Sequence, residues 1–105
     1  MATRVIIQQS NAKHKRLVAK FPNQTTHFGL KGGETYLEHG DDKTKHNYLK
    51  RHRVNEDWGD YTSAGSLARN ILWNKRTPKA SINNLNSKQS KYKFVYKPSL
   101  RKKYI

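Results

Sequence analysis

The segment WGDYTSAGSLARNILWNKRTPKASI, residues 58–82, carries the most specific folding pattern in the chain. Thr62 or Ser63 can cap a helix, because a side-chain hydroxyl there accepts a free backbone N–H of the first turn. Apolar side chains then recur at helical spacing, at Ala64, Leu67, Ala68, Ile71 and Leu72. Trp58 precedes this helix and Trp73 ends it. The segment therefore predicts a helix with a tryptophan at each end.

Two further helix starts are indicated by their capping residues. Thr77 and Pro78 are typical of the N-cap and the first helical position, where proline loses nothing by lacking an N–H. This second helix, ending near residue 86, completes a helical hairpin. Asp41 or Asp42 can cap another helix over residues 43–53, since a carboxylate also suits the positive end of the helix dipole.

The N-terminal third of the chain predicts β-strands. Residues 3–9 and 17–21 are rich in β-branched and apolar residues and flank a turn, which is typical of a hairpin. Residues 25–28 predict a third strand, and Tyr36 and Leu37 are expected to be extended. Three short strands need a cover for their apolar face, and the helical hairpin can supply it.

We therefore expect an α+β fold: a small N-terminal antiparallel β-meander packed against two or three short helices, with an extended basic C-terminal arm. The predicted core takes residues from both parts: Val5, Ile7, Leu17, Ala19, Phe28, Leu49, Trp58, Leu67, Ile71, Leu72 and Trp73. The polar run NNLNSKQSK, residues 83–91, reads as a linker. We place a compact domain at 1–86 and a basic-aromatic arm at 87–105.

Three interpretations of the arm stay open. In KYKFVYK, residues 91–97, lysines can pair with phosphates while aromatic rings stack on bases. The same alternation fits a strand added to another protein's sheet, or a strand of the domain's own sheet. The predicted partner-binding residues are Lys91, Tyr92, Lys93, Phe94, Tyr96, Lys97, Arg101, Lys102 and Lys103. A secondary basic patch is predicted at Lys50, Arg51, Arg53, Lys75 and Arg76.

The charge of the chain predicts an anionic partner. The net charge is +15, and it is unevenly distributed. Residues 1–33 and 61–105 contain six and eleven Lys/Arg with no carboxylate, whereas residues 34–60 contain all seven carboxylates. Solubility alone seldom requires a net charge above about 8 on a small domain. Nucleic acid, an acidic protein surface or lipid headgroups are the partners that fit.

The composition also limits the chemistry that we expect. The absence of cysteine excludes disulfides, thiolate metal sites and thiol nucleophiles. The longest apolar runs are too short to span a bilayer or to form the core of a signal peptide. His39, Asp41, Asp42 and His46 could surround a metal ion, but capping and surface positions explain them better. We expect no enzyme activity, no catalytic residues, no cofactor and no metal.

Five motifs in the middle of the chain stand out as a set: His27-Phe28-Gly29, Tyr48 to Arg53, Asn55-Glu56-Asp57-Trp58, Thr62 to Gly65, and Ile71-Leu72-Trp73-Asn74-Lys75. Taken in this order, they resemble small basic proteins encoded by nucleocytoplasmic large DNA viruses, including algal viruses and mimivirus relatives. The resemblance covers roughly residues 25–85, with a departure at Arg76, where those proteins usually have proline. It implies a viral origin and a compact domain, and the family has no assigned activity.

Our first hypothesis is a non-enzymatic structural protein of a large DNA virus. It would be a minor capsid or capsid-lining component that cements neighbouring subunits through its basic termini. We expect it in the virion, made in the host cytoplasm or nucleus and not secreted, with capsid proteins or another acidic protein surface as partners. The alternative is a nucleic-acid-binding protein that condenses or anchors the viral genome.

Overall fold

A four-stranded mixed sheet forms the base of the computed structural model, which describes residues 2–97. The strands are β1 (Thr3–Gln9), β2 (Lys15–Lys20), β3 (Thr25–Leu30) and β4 (Tyr92–Tyr96). β1, β2 and β3 form an antiparallel meander, and β4 lies parallel to β1 at the other edge, in the order β3-β2-β1-β4. The prediction of an α+β fold with an N-terminal meander is confirmed.

The helices are α1 (Tyr36–His39), α2 (Asp42–Arg53), α3 (Ala64–Leu67) and α4 (Pro78–Lys88). Their caps agree with the sequence pattern: Asp41 caps α2, Ser63 caps α3, and Thr77 caps α4 with Pro78 at its first position. α3 continues directly into a π-helical segment, Ala68–Leu72. This wider turn brings three consecutive residues, Asn70, Ile71 and Leu72, into the interior.

The prediction that Tyr36 and Leu37 are extended is wrong, because both lie in α1. The Thr35 hydroxyl accepts the Leu37 backbone N–H, and the Glu38 carboxylate accepts the Thr35 backbone N–H at 2.6 Å. This reciprocal pair is a capping box, which satisfies two free donors at the start of a helix. It stabilises a turn that is too short to show a periodic apolar pattern.

The core lies between one face of the sheet and the helical layer. Eight of the predicted core residues are buried: Val5, Ile7, Leu17, Ala19, Phe28, Leu67, Ile71 and Leu72. Phe94, Ile82, Leu85 and Phe21 are also buried there, whereas Val18 is buried on the opposite face of the sheet. The prediction was wrong for Leu49 and Trp58, which are half-buried and line a surface groove. Trp73 is half-buried and packs against the core from outside.

The described part of the predicted arm belongs to the compact fold. α4 extends past residue 86 to Lys88, and residues 92–96 pair with β1 over their whole length. Of the three interpretations of this stretch, the structure therefore shows the strand of the protein's own sheet. Phe94 is buried, and Tyr92 and Tyr96 pack against the core. The rest of the predicted arm, residues 98–105 with Arg101, Lys102 and Lys103, lies outside the described residues.

The outer edge of β4 is covered by two side-chain amides from the end of α4. Asn86 accepts the Phe94 backbone N–H at 2.8 Å and donates to the Phe94 carbonyl at 3.0 Å. Gln89 makes the same pair of hydrogen bonds with Tyr92, at 2.8 and 2.7 Å. The amides thus replace a fifth strand. Covering an edge in this way prevents another chain from pairing with it.

We expect Asn86→Ala to lower the free energy of unfolding by about 1–3 kcal/mol, because two hydrogen bonds of about 0.5–1.5 kcal/mol each are lost. The measurement is urea unfolding followed by circular dichroism. Asn83→Ala is the matched control, since Asn83 is an exposed residue of the same helix. Equal stability changes in the two variants would show that the amide cap contributes nothing.

Candidate functional site

A groove of about 400 Å³ opens in the helical layer, between α2 and the π-helical segment. Its lining consists of His46, Leu49, Lys50, Arg53, Trp58 and Arg69, and we call it the helical groove. His46, Lys50 and Arg53 come from α2 at spacings of four and three residues, which place them on one helix face. Four of the six lining residues are basic and none is acidic. The groove therefore combines cations with one indole ring.

The carboxylate of Glu56 fixes the indole of Trp58. It accepts the indole N–H at 2.8 Å, and its other oxygen lies 3.2 Å from His52 Nδ1. A Cβ at position 65 would lie 2.8 Å from the Glu56 carboxyl carbon, so Gly65 leaves the space that Glu56 occupies. Glu56 thus holds Trp58 and His52 rather than a lysine or arginine of the groove.

Arg69 is the cation that the π-helical segment contributes to the groove. Its guanidinium carbon lies 5.3 Å from the centre of the Trp58 ring, which is within cation–π distance. Its Nη1 atom is buried and has no hydrogen-bond partner within residues 2–97. Burial lowers the pKa of Arg69, although arginine stays charged in proteins. Because buried donors are normally paired, this donor is unfavourable as it stands, and an anion that reached the guanidinium would satisfy it.

Lys45 and Lys88 each lie close enough to Arg69 and Lys75 to feel their charges, and we call Lys45, Arg69, Lys75 and Lys88 the cation cluster. Lys45 Nζ donates to the Asn74 carbonyl, and Lys88 Nζ donates to Asn70 Oδ1, both at 2.6 Å. Desolvation lowers the pKa of Lys45 and of Lys88, and the charges of Arg69 and Lys75 lower both further. The four cations therefore repel one another, and a bound anion would relieve that repulsion.

An aromatic stack attaches α2 to the rest of the fold. The Tyr48 ring lies 4.1 Å from the Trp73 ring, with 5° between the planes, and 4.1 Å from the His52 ring on its other side. α2 contains no fully buried residue, so this stack is a main contact of the helix. Burial raises the pKa of the Tyr48 hydroxyl to about 12. The basic wall of the helical groove thus depends on ring stacking.

The structure brings the secondary basic patch only partly together. Lys50 and Arg53 line the helical groove, and Lys75 belongs to the cation cluster. Arg51 instead lines a cavity of about 350 Å³ beside the aromatic stack. The Arg76 guanidinium packs against Gly40, which ends α1 at a φ of +58°, a left-handed conformation that a residue with a Cβ rarely adopts.

Sequence reasoning missed Lys45, His46, Trp58, Arg69 and Lys88 as site residues. The spacing of His46, Lys50 and Arg53 on one helix face is a signal that could have found half of the groove. Arg69 gives no such signal, since it stands within an apolar helical pattern. The predicted partner-binding residues Lys91, Lys93 and Lys97 lie at or beside β4, outside the groove.

The residues considered for a metal site have structural contacts of their own. The His39 Nδ1 atom accepts the Asp41 backbone N–H at 2.9 Å, and Asp41 caps α2. Within residues 2–97, no three histidine or carboxylate side chains are grouped so that they could hold a metal ion. In the same part of the chain, none of the helices has the length and apolar character needed to cross a membrane.

The fold and the groove define a small α+β protein with a cationic, aromatic-containing surface. Residues 5–52 match the model of a family of unknown function (DUF5754). The match covers most of the meander, α1 and most of α2, including His46, Leu49 and Lys50 of the helical groove. Comparison with curated proteins and with solved structures gives no significant match.

The raised pKa of Tyr48 predicts a pH dependence of stability. The folded protein holds the phenolic proton more tightly than the unfolded chain, in which the pKa is near 10.0. This contribution is therefore fully present below pH 10 and is lost as the pH rises towards about 12. We expect the wild type to lose stability relative to Tyr48→Phe across that range, measured by urea unfolding. Parallel curves for the two proteins would contradict the burial of the hydroxyl.

Proposed function

We propose that this protein is a non-enzymatic nucleic-acid-binding protein and that the helical groove binds a single strand. Lys50, Arg53 and Arg69 would neutralise backbone phosphates, and a base would stack on Trp58. Stacking on an aromatic side chain contributes about 1–3 kcal/mol per base and tolerates any sequence. The observation that carries the proposal is Arg69, a half-buried cation over an indole ring whose Nη1 atom has no hydrogen-bond partner within residues 2–97.

The use of the carboxylates supports this proposal. Among residues 2–97, the one ion pair that involves a lysine or arginine joins Arg16 to Glu38. That contact lowers the pKa of Glu38 to about 2. Asp41 caps α2, and Asp60 accepts the Thr62 hydroxyl and N–H. The acidic residues thus stabilise turns and helix ends, which leaves most cations available to a partner.

The capsid-lining role stays a prediction. In that role the same cations would pair with an acidic protein surface, and the resemblance to proteins of large DNA viruses suits both readings. The amide cap of Asn86 and Gln89 favours docking through side chains over addition of a strand to the edge of β4. A viral genome or its transcripts would be the ligand if nucleic acid is the partner.

The test is binding of a fluorescent 20-nucleotide oligo(dT) across a salt series. We expect log K to fall linearly with log salt, and the double variant Lys50→Gln/Arg53→Gln to bind more weakly with a shallower slope. Two lost phosphate contacts reduce the slope by about 1.4, at about 0.7 per contact on single strands. Lys13→Gln/Lys79→Gln is the control, because it removes the same charge from exposed residues outside the groove.

Two results would overturn the proposal. Equal losses of affinity and slope in the two double variants would show that net charge alone attracts the oligonucleotide. Wild-type protein that prefers poly-glutamate to oligo(dT) at physiological salt would favour an acidic protein surface, and with it the capsid-lining role.

A further inference from the structure

The face of the sheet that points away from the helices is cationic. Side chains alternate between the two faces of a strand, and Val5, Ile7, Ala19, Phe28 and Phe94 point into the core. The alternate positions therefore share the other face, which we call the open face: Arg4, Ile6, Gln8, Val18, Lys20, Thr25, His27, Lys93 and Val95. A shallow cavity of about 220 Å³ on it is lined by Gln8, Val18, Lys20, Thr25 and His27, among others.

Within residues 2–97, no carboxylate forms an ion pair with the cations of the open face. None of the four strands contains a carboxylate, because all seven lie within residues 34–60. In the part of the chain that the structure describes, Arg4, Lys20 and Lys93 form no ion pair. Arg4 and Lys93 are register partners on neighbouring strands. Like charges on neighbouring strands repel one another, and an anion bound over this pair would offset the repulsion.

The open face differs from the helical groove in having no tryptophan, tyrosine or phenylalanine. The aromatic residues of the strands, Phe28, Tyr92, Phe94 and Tyr96, take the register positions that face the helices. The imidazole of His27, which is hydrogen-bonded to Ser10, is the one ring among the open-face positions, so bases find no tryptophan, tyrosine or phenylalanine to stack on there. Such a surface suits the phosphate backbone, which lysine and arginine contact without reading sequence.

We infer that the open face binds the phosphate backbone of a second nucleic-acid segment, so that one molecule bridges two segments. The helical groove and the open face lie on different sides of the sheet, since the groove is lined by the helical layer alone. Two segments can therefore be held at once. This inference rests on the proposed function, and it makes the protein a condensing agent rather than a coat for one strand.

The experiment measures capture of a fluorescent DNA duplex by an immobilised duplex that carries a single-stranded oligo(dT) tail. We expect wild-type protein to join the two DNAs. The double variant Arg4→Gln/Lys93→Gln should lose most of the capture while its affinity for oligo(dT) changes less than threefold. Lys13→Gln/Lys79→Gln, with the same loss of charge, should capture the duplex nearly as well as the wild type.

Folding of the variant is checked by its thermal midpoint, which should stay equal or rise because a repulsive pair is removed. If Arg4→Gln/Lys93→Gln captured as much duplex as the wild type, the inference would be overturned and the proposed function would stand. Capture that requires a protein dimer, detected by sedimentation, would also overturn it. Wild-type protein that binds neither DNA would instead overturn the proposed function itself.

Discussion

The parallel pairing of β4 with β1 is the interaction on which the rest of the structure depends. Backbone hydrogen bonds at its two ends, from Thr3 N–H to the Lys91 carbonyl and from Lys97 N–H to the Ile7 carbonyl, are 2.9 and 2.8 Å long. The pairing buries Phe94 beside Val5 and positions α4 against the π-helical segment. The pairing closes a long segment of the chain, but the entropic cost of closure grows only slowly with segment length. The buried apolar area offsets that cost.

The same pairing arranges the charges. It sets Lys93 opposite Arg4 on the open face, and the course of α4 brings Lys88 to Asn70 next to Arg69. Glu38 is paired with Arg16, and Glu56 is bound by Trp58 and His52. A protein of this size thus keeps its acidic side chains in local structure and presents cations on both sides of its sheet. Repulsion between neighbouring cations lowers the pKa of Lys45 and of Lys88, and under the proposed function a bound anion would offset that repulsion.

Structure that depends on residues close together in the sequence could be predicted, whereas contacts between distant residues could not. Ser63 and Thr77 cap helices through contacts within three residues, so their roles could be predicted. The alternation of residues 92–96 fits any strand, and no residue near them in the sequence indicates that they pair with β1. Trp58 was expected in the core because of its size, but its N–H is bound by Glu56 at the surface. Arg69 lies in a π-helical turn, but the apolar residues around it keep ordinary α-helical spacing, so the sequence does not indicate this turn.

Amide hydrogen exchange of residues 91–97 in the free protein tests the central claim most directly. The account predicts slow exchange at Phe94, whose N–H is held by Asn86, and at Lys97, whose N–H is held by Ile7. Their protection should approach that of β1, because the two strands open together. Exchange at unfolded-chain rates in the free protein, with protection only after nucleic acid is added, would contradict it. The stretch would then be an arm that folds on its ligand, and the charge layout described for the open face would not exist before binding.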